Sequence, residues 1–277
     1  MITRIIGALA RAVLVAILIA LPAMILPAVP GDTAQIVLLL AILAAAFTFG
    51  EYLSSCPSIV EFRDAPPFNR IRFFSLFITV LMLTIIAATG PNPSPGEIAI
   101  ANVGTLIGEA IDFPYSPVRL VVLMMPPDAP DELLTSVRTA AGMAYLVSLT
   151  GLAFFLLMVR VFDWPSSRGA FNVWINLPLF DPTAGGDVVA RLKRDAQLNI
   201  MLGFLLPFLI PAIVKLATLL MDPITLADPQ TLIWTISAWA FLPASLIMRG
   251  IAMLRIADMI EDKRRRTYAR AKALQAA

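Results

Sequence analysis

Six separated runs of about 20 apolar residues govern what this chain can become. They cover residues of about 12–29, 34–52, 71–90, 137–161, 197–221 and 230–254. A hydrocarbon layer roughly 30 Å thick is crossed by about 20 helical residues, so each run has the length of a span. Inside lipid the backbone must satisfy its own hydrogen bonds, which selects helix for each run. None alternates with a period of two, which disfavours a membrane β-barrel. Hydrophobic residues make up 59% of the chain and charged residues 14%, against roughly 25% charged in a soluble domain. A soluble fold is excluded. The expectation is all-α: a polytopic membrane helical bundle of about six transmembrane helices, one integral domain over residues 1–277.

Local chemistry places the helix starts. Asp32, with Gln35 three positions on, is expected to cap the second span, and Pro30-Gly31-Asp32 makes the first two spans a tight hairpin. Ser94-Pro95-Gly96-Glu97 is a capping box with proline in the first turn, and Asp228-Pro229 opens the sixth span the same way. Orientation follows the cations. With a cytoplasmic amino terminus, all of the 21 lysines and arginines except Arg119, Arg138 and Lys215 fall in or beside cytoplasmic segments. Six spans then put the basic tail, 255–277, on the same side. Arg4 and Arg11 ahead of an apolar run ending near Pro27-Ala28 also fit a cleavable signal peptide. The length of that run and the closeness of the next one favour an uncleaved first span.

The residue inventory removes whole classes of chemistry. The chain has no histidine and a single cysteine, Cys56. Histidine-ligated metal or haem, Ser-His-Asp and Cys-His catalysis and an intrachain disulfide are therefore excluded. Gly186 to Arg191 resembles part of the Asp-Gly-x-x-Ala-Arg core of CDP-alcohol phosphotransferases. That family implies further metal-binding aspartates a helical turn apart, but the comparable positions here are apolar or proline, among them Pro207 and Pro211. The metal site is not encoded, and no cofactor is expected.

A few residues stand out against this background. Ionisable groups inside the bilayer are expensive, which makes Lys215 a candidate intramembrane site beside a kink expected at Pro207 and Pro211. Snorkelling to outer headgroups, near Asp222, is the plainer reading of the lysine. Glu51, at the end of the second span, is a candidate for pairing with an arginine of a neighbouring helix. The cytoplasmic loop 53–70 carries Phe62, Arg63, Asp64, Phe68 and Arg70 around Pro66-Pro67, and reads as a partner-docking loop or as a short lipid-anchored connector.

The second cytoplasmic loop, 162–196, holds Trp164 and Trp174, which fit an interfacial belt, and Val188, Val189 and Leu192, expected towards lipid. Between the third and fourth spans, the external segment 91–135 is too long for a bare connector. It holds an amphipathic helix near 97–111 and an apolar run, Val118 to Met125. Along the fourth span Ala140, Ala144, Ser148 and Gly151 form a small-residue stripe suited to close helix packing.

The functional expectation is a non-enzymatic scaffold, assembly or accessory component of a membrane complex. Its partners are the lipid bilayer and other membrane subunits, not nucleic acid. A small-solute or ion carrier working at Lys215 is the first alternative. A lipid-modifying enzyme using Asp181 and Asp187 is the second. Arginine far outnumbers lysine and alanine and leucine abound, a usage that suggests a bacterial inner membrane.

Overall fold

The computed structural model describes residues 2–27, 30–90, 92–165, 172–181, 183, 185–218 and 226–276. Among these all regular structure is helical. The elements are α1 (Ile2–Ile25), α2 (Gly31–Leu53), α3 (Phe68–Ala88), α4 (Pro95–Ile111), α5 (Pro117–Met124), α6 (Asp131–Val161), α7 (Val173–Asn176), α8 (Val188–Ala217) and α9 (Pro229–Ala276). Six of them, α1, α2, α3, α6, α8 and α9, are long and apolar enough to cross a membrane. These six match the six apolar runs of the sequence.

The helix boundaries follow local capping, with one correction. Ser94 and Glu97 form the full capping box on α4, and Asp187 caps α8 by accepting from the Ala190 amide at 3.2 Å. Asp228 accepts from the Thr231 amide at 2.7 Å, as its place before Pro229 suggests. Asp32 does not cap α2. Pro30 is the N-cap, and Asp32 lies inside the first turn without a side-chain cap bond. Helix α8 is continuous through Pro207 and Pro211 and packs along α9.

Apolar helices gain little from the hydrophobic effect inside lipid, so close backbone approach must hold them. At the α8–α9 pairing a Cβ on Gly203 would stand 2.6 Å from the Pro243 carbonyl oxygen, and one on Gly250 would stand 2.7 Å from that of Ala196. At the α4–α6 crossing a Cβ on Gly142 would meet the Gly108 Cα at 2.5 Å. Ala140, Ala144 and Ser148 of the α6 stripe are all buried. The stripe therefore packs inward, against α3 and α9.

The long connector after α3 folds onto the bundle. Helix α4 lies against α6 and α3, while α5 packs into α6 and α8 with Val118 and Val121 buried. Most of the apolar run Val118 to Met125 is thus packed into the bundle, with Leu123 left exposed. Two apolar clusters result. One surrounds Val80, Val121, Val137 and Ile236; the other surrounds Phe68, Phe155, Leu192 and Met253 at the end that carries the basic tail. Among the described helices α2 packs on α1 alone, and Ala41 is its only buried residue.

Candidate functional site

Apart from Asp112, a buried carboxylate that pairs with Arg119 at 2.8 Å and Arg138 at 2.7 Å after α4, the densest polar contacts of this bundle lie at its basic end, where the loops following α2 and α6 are woven into one cap. Arg63 begins it. Its guanidinium donates to the carbonyls of Glu51 (2.9 Å) and Ser54 (2.7 Å), the unpaired acceptors at the carboxyl end of α2. A cation there also complements the helix dipole. Asp64 sits beside Arg63, and the Asp64 amide donates to Asn176 Oδ1 at 3.1 Å. The Asn176 carbonyl in turn accepts from the Phe62 amide at 2.6 Å. That bond holds Phe62 at φ 52°, the left-handed region that bulky residues avoid.

The rings point inward. Phe62 and Phe68 are fully buried and pack with Phe155 and Trp164, whose indole donates to the Ala65 carbonyl at 3.2 Å. The expectation of Phe62 and Phe68 displayed to a partner is corrected: an apolar pocket roofed by Trp164 is available to them within the chain. Trp164 is likewise core, not interfacial belt; the side chain of Trp174 lies outside the described residues. Val189 and Leu192 are buried too, because α9 continues past residue 254 and covers them with Ile256 and Ala257.

A bidentate ion pair crosses the cap. Glu61, 7% exposed, accepts from Arg249 Nε at 2.6 Å and from its second nitrogen at 2.8 Å. Arg72 stands near enough for its charge to attract Glu61 and oppose Arg249, and donates to Ser245 at 2.7 Å. The carboxylate–arginine pairing expected of Glu51 is thus made by Glu61. Glu51 instead accepts from the amides of Ser58, Ile59 and Val60 and from the Ser58 hydroxyl, which fastens the start of the loop. The clue in the sequence was an acid set between apolar neighbours, Val60-Glu61-Phe62, where an unpaired charge would be costly.

Lys215 neither reaches a span centre nor meets a carboxylate among the described residues. Its ammonium donates to the Met125 carbonyl, the free end of α5, at 2.9 Å. Asp222, its expected neighbour, lies outside the described residues. Lys215 is therefore a strut between α8 and α5. Lys215→Met should speed amide hydrogen exchange across α5, since a hydrogen bond to a charged group contributes about 1.5–3 kcal/mol. Unchanged exchange there would remove the strut.

Asp181 and Asp187 serve turns rather than one another. Asp181 accepts from the Thr183 amide and hydroxyl, while Asp187 caps α8 and pairs with Arg264 at 2.6 Å. The Arg264 hydrogen bond, helped by the Ala190 amide, holds the Asp187 carboxyl below its ordinary value of 3.8. A lowered folded value means the contact is complete above that ordinary value and fades as pH falls through the lower one. Spin labels on α8 and the tail should keep one separation from neutrality down to about pH 4 and lose it only in stronger acid. Arg264→Gln should give the loosened separation at every pH.

Among the described residues no cluster of three or more Cys, Asp or Glu side chains is placed to hold a metal ion. No family model matches the chain, and no curated protein or solved structure matches it.

Proposed function

We propose that this chain is a non-catalytic scaffold or assembly component of a membrane complex, seated in a bacterial inner membrane with both termini cytoplasmic. The observation that carries the reading is α2. It is a spanning helix of 23 residues that packs on no described helix but α1 and leaves Leu38, Leu39, Leu43 and Phe47 uncovered. A subunit that works alone gains no packing from such a helix, whereas one that assembles with others uses it as the joining face. The cap at the basic end adds support, since its Asn176, Trp164 and Glu61–Arg249 links fix the shape of the surface it presents. The cation distribution supports a cytoplasmic position for that surface.

A photo-reactive residue at Leu39 or Phe47, activated in native membranes, should yield one discrete adduct with another protein. The same residue on the buried side of α6, at Ala144, should yield none. Only lipid adducts from α2, together with a monomer by mass after mild detergent extraction, would overturn the scaffold reading.

A further inference from the structure

Beside α2, where α1, α2 and α3 diverge at the basic end, the fold gathers positive charge into a recess, apart from the cations of the tail. A polar recess there is lined by Arg4, Arg11, Tyr52, Arg63 and Asp64. Arg63 is 4% exposed and occupied by the carbonyls of α2 and by Asp64. Arg11 lies over the Tyr52 ring at 4.6 Å, donates to the Gly7 carbonyl at 2.6 Å and shares a side-chain hydrogen bond with Tyr52. A guanidinium has five donors, so most of its fork stays available. Arg4 and Arg70 are exposed, with no ion pair among the described residues. The recess thus carries surplus positive charge.

The same arginine opens onto an apolar cleft. Arg11 and Tyr52 also line a cleft of about 460 Å³ that continues past Arg70 to Leu14, Val15 and Phe73. On the other flank of α3 a second apolar groove, about 450 Å³, descends from Arg70 past Phe74 to Ile78 and Leu146. Arg70 and Phe74 border both. From Arg70 to Ile78 the helix drops about 12 Å. Cationic groups at one level, with two apolar channels leading down from them, match an anionic group bearing two chains.

We propose that this divergence is a binding site for one anionic diacyl phospholipid. Its phosphate lies between Arg11 and Arg70, and its acyl chains straddle the Phe74 ridge of α3. Guanidinium forks suit phosphate oxygens, and Tyr52 and Asn69 border the same cleft as further donors. The net charge of the recess separates an anionic headgroup from a zwitterionic one, whose ammonium would face the arginines.

The test is native mass spectrometry of the full chain in mild detergent, titrated with dioleoyl phosphatidylglycerol or with dioleoyl phosphatidylcholine. Wild type should retain one phosphatidylglycerol in preference to phosphatidylcholine. Arg70→Gln, at an exposed residue outside the packing of the cap, should weaken that binding by about fivefold, and Arg11→Gln/Arg70→Gln by that factor twice over. Arg70→Lys should restore most of it, and Arg264→Gln, on the tail, should change nothing. Equal retention of the two lipids overturns the site, as does wild-type affinity in Arg70→Gln. Displacement by millimolar inorganic phosphate overturns the lipid assignment in favour of a free anion.

Discussion

Glu61→Leu is expected to destabilise the bundle by roughly 3–5 kcal/mol, the cost of stranding a buried charge when its partner is removed. Glu61 is almost wholly covered, and Arg249 is 25% exposed, so water replaces little of what is lost. Without the carboxylate, Arg72 and Arg249 face each other as like charges, with Ser245 the neutral acceptor for Arg72. Arg249→Met should be milder, because Arg72 still offers Glu61 a cation. The double variant Glu61→Leu/Arg249→Met should recover much of the loss, since burying two apolar groups avoids the stranded charge. Unfolding midpoints in mixed detergent–SDS micelles measure all three. Strict additivity of the single effects would show that the pair is not coupled.

What the sequence made legible divides along chain distance. The six spans could be read because length and apolarity are local properties and lipid permits few alternatives. The Ser94 box and the Asp228 cap could be read for the same reason, as each involves residues three apart. Asp32 misled because Pro30 starts the helix two residues earlier, which turns a cap residue into a first-turn acid.

The cap was hidden. Trp164 meets Ala65 across 99 positions, and Glu61 meets Arg249 across 188. Phe62 and Phe68 carry the same composition whether they face a partner or an indole supplied by the next loop. The orientation of α8 failed by a related route. Ending the last span at residue 254 withheld the apolar face, Ile256 and Ala257, that buries Val189 and Leu192. Lys215 was legible as unusual, but its partner is a backbone carbonyl, and no residue type announces a free carbonyl.

Trp164→Ala should remove the keystone of the cap and lower stability by about 3–5 kcal/mol, the range for deleting a large buried aromatic. Its ring packs on Phe62, Phe68 and Phe155 at centroid distances of 5.7, 6.0 and 5.2 Å. The indole also donates to the Ala65 carbonyl, and the Trp164 carbonyl accepts from Arg255 at 3.1 Å. Loss of the ring leaves Phe62 in its left-handed conformation without the packing that offsets that cost, so the loop after α2 should relax first. Amide exchange at Phe62 and Ala65 reports this directly, because their bonds to the Asn176 and Phe62 carbonyls hold only while the loop is closed. Trp164→Phe should keep most of the packing and forfeit about 1 kcal/mol for the indole hydrogen bond. Protection at Phe62 and Ala65 as high in Trp164→Ala as in wild type would mean that the two loops hold their shape independently, and the cap would not be a single unit.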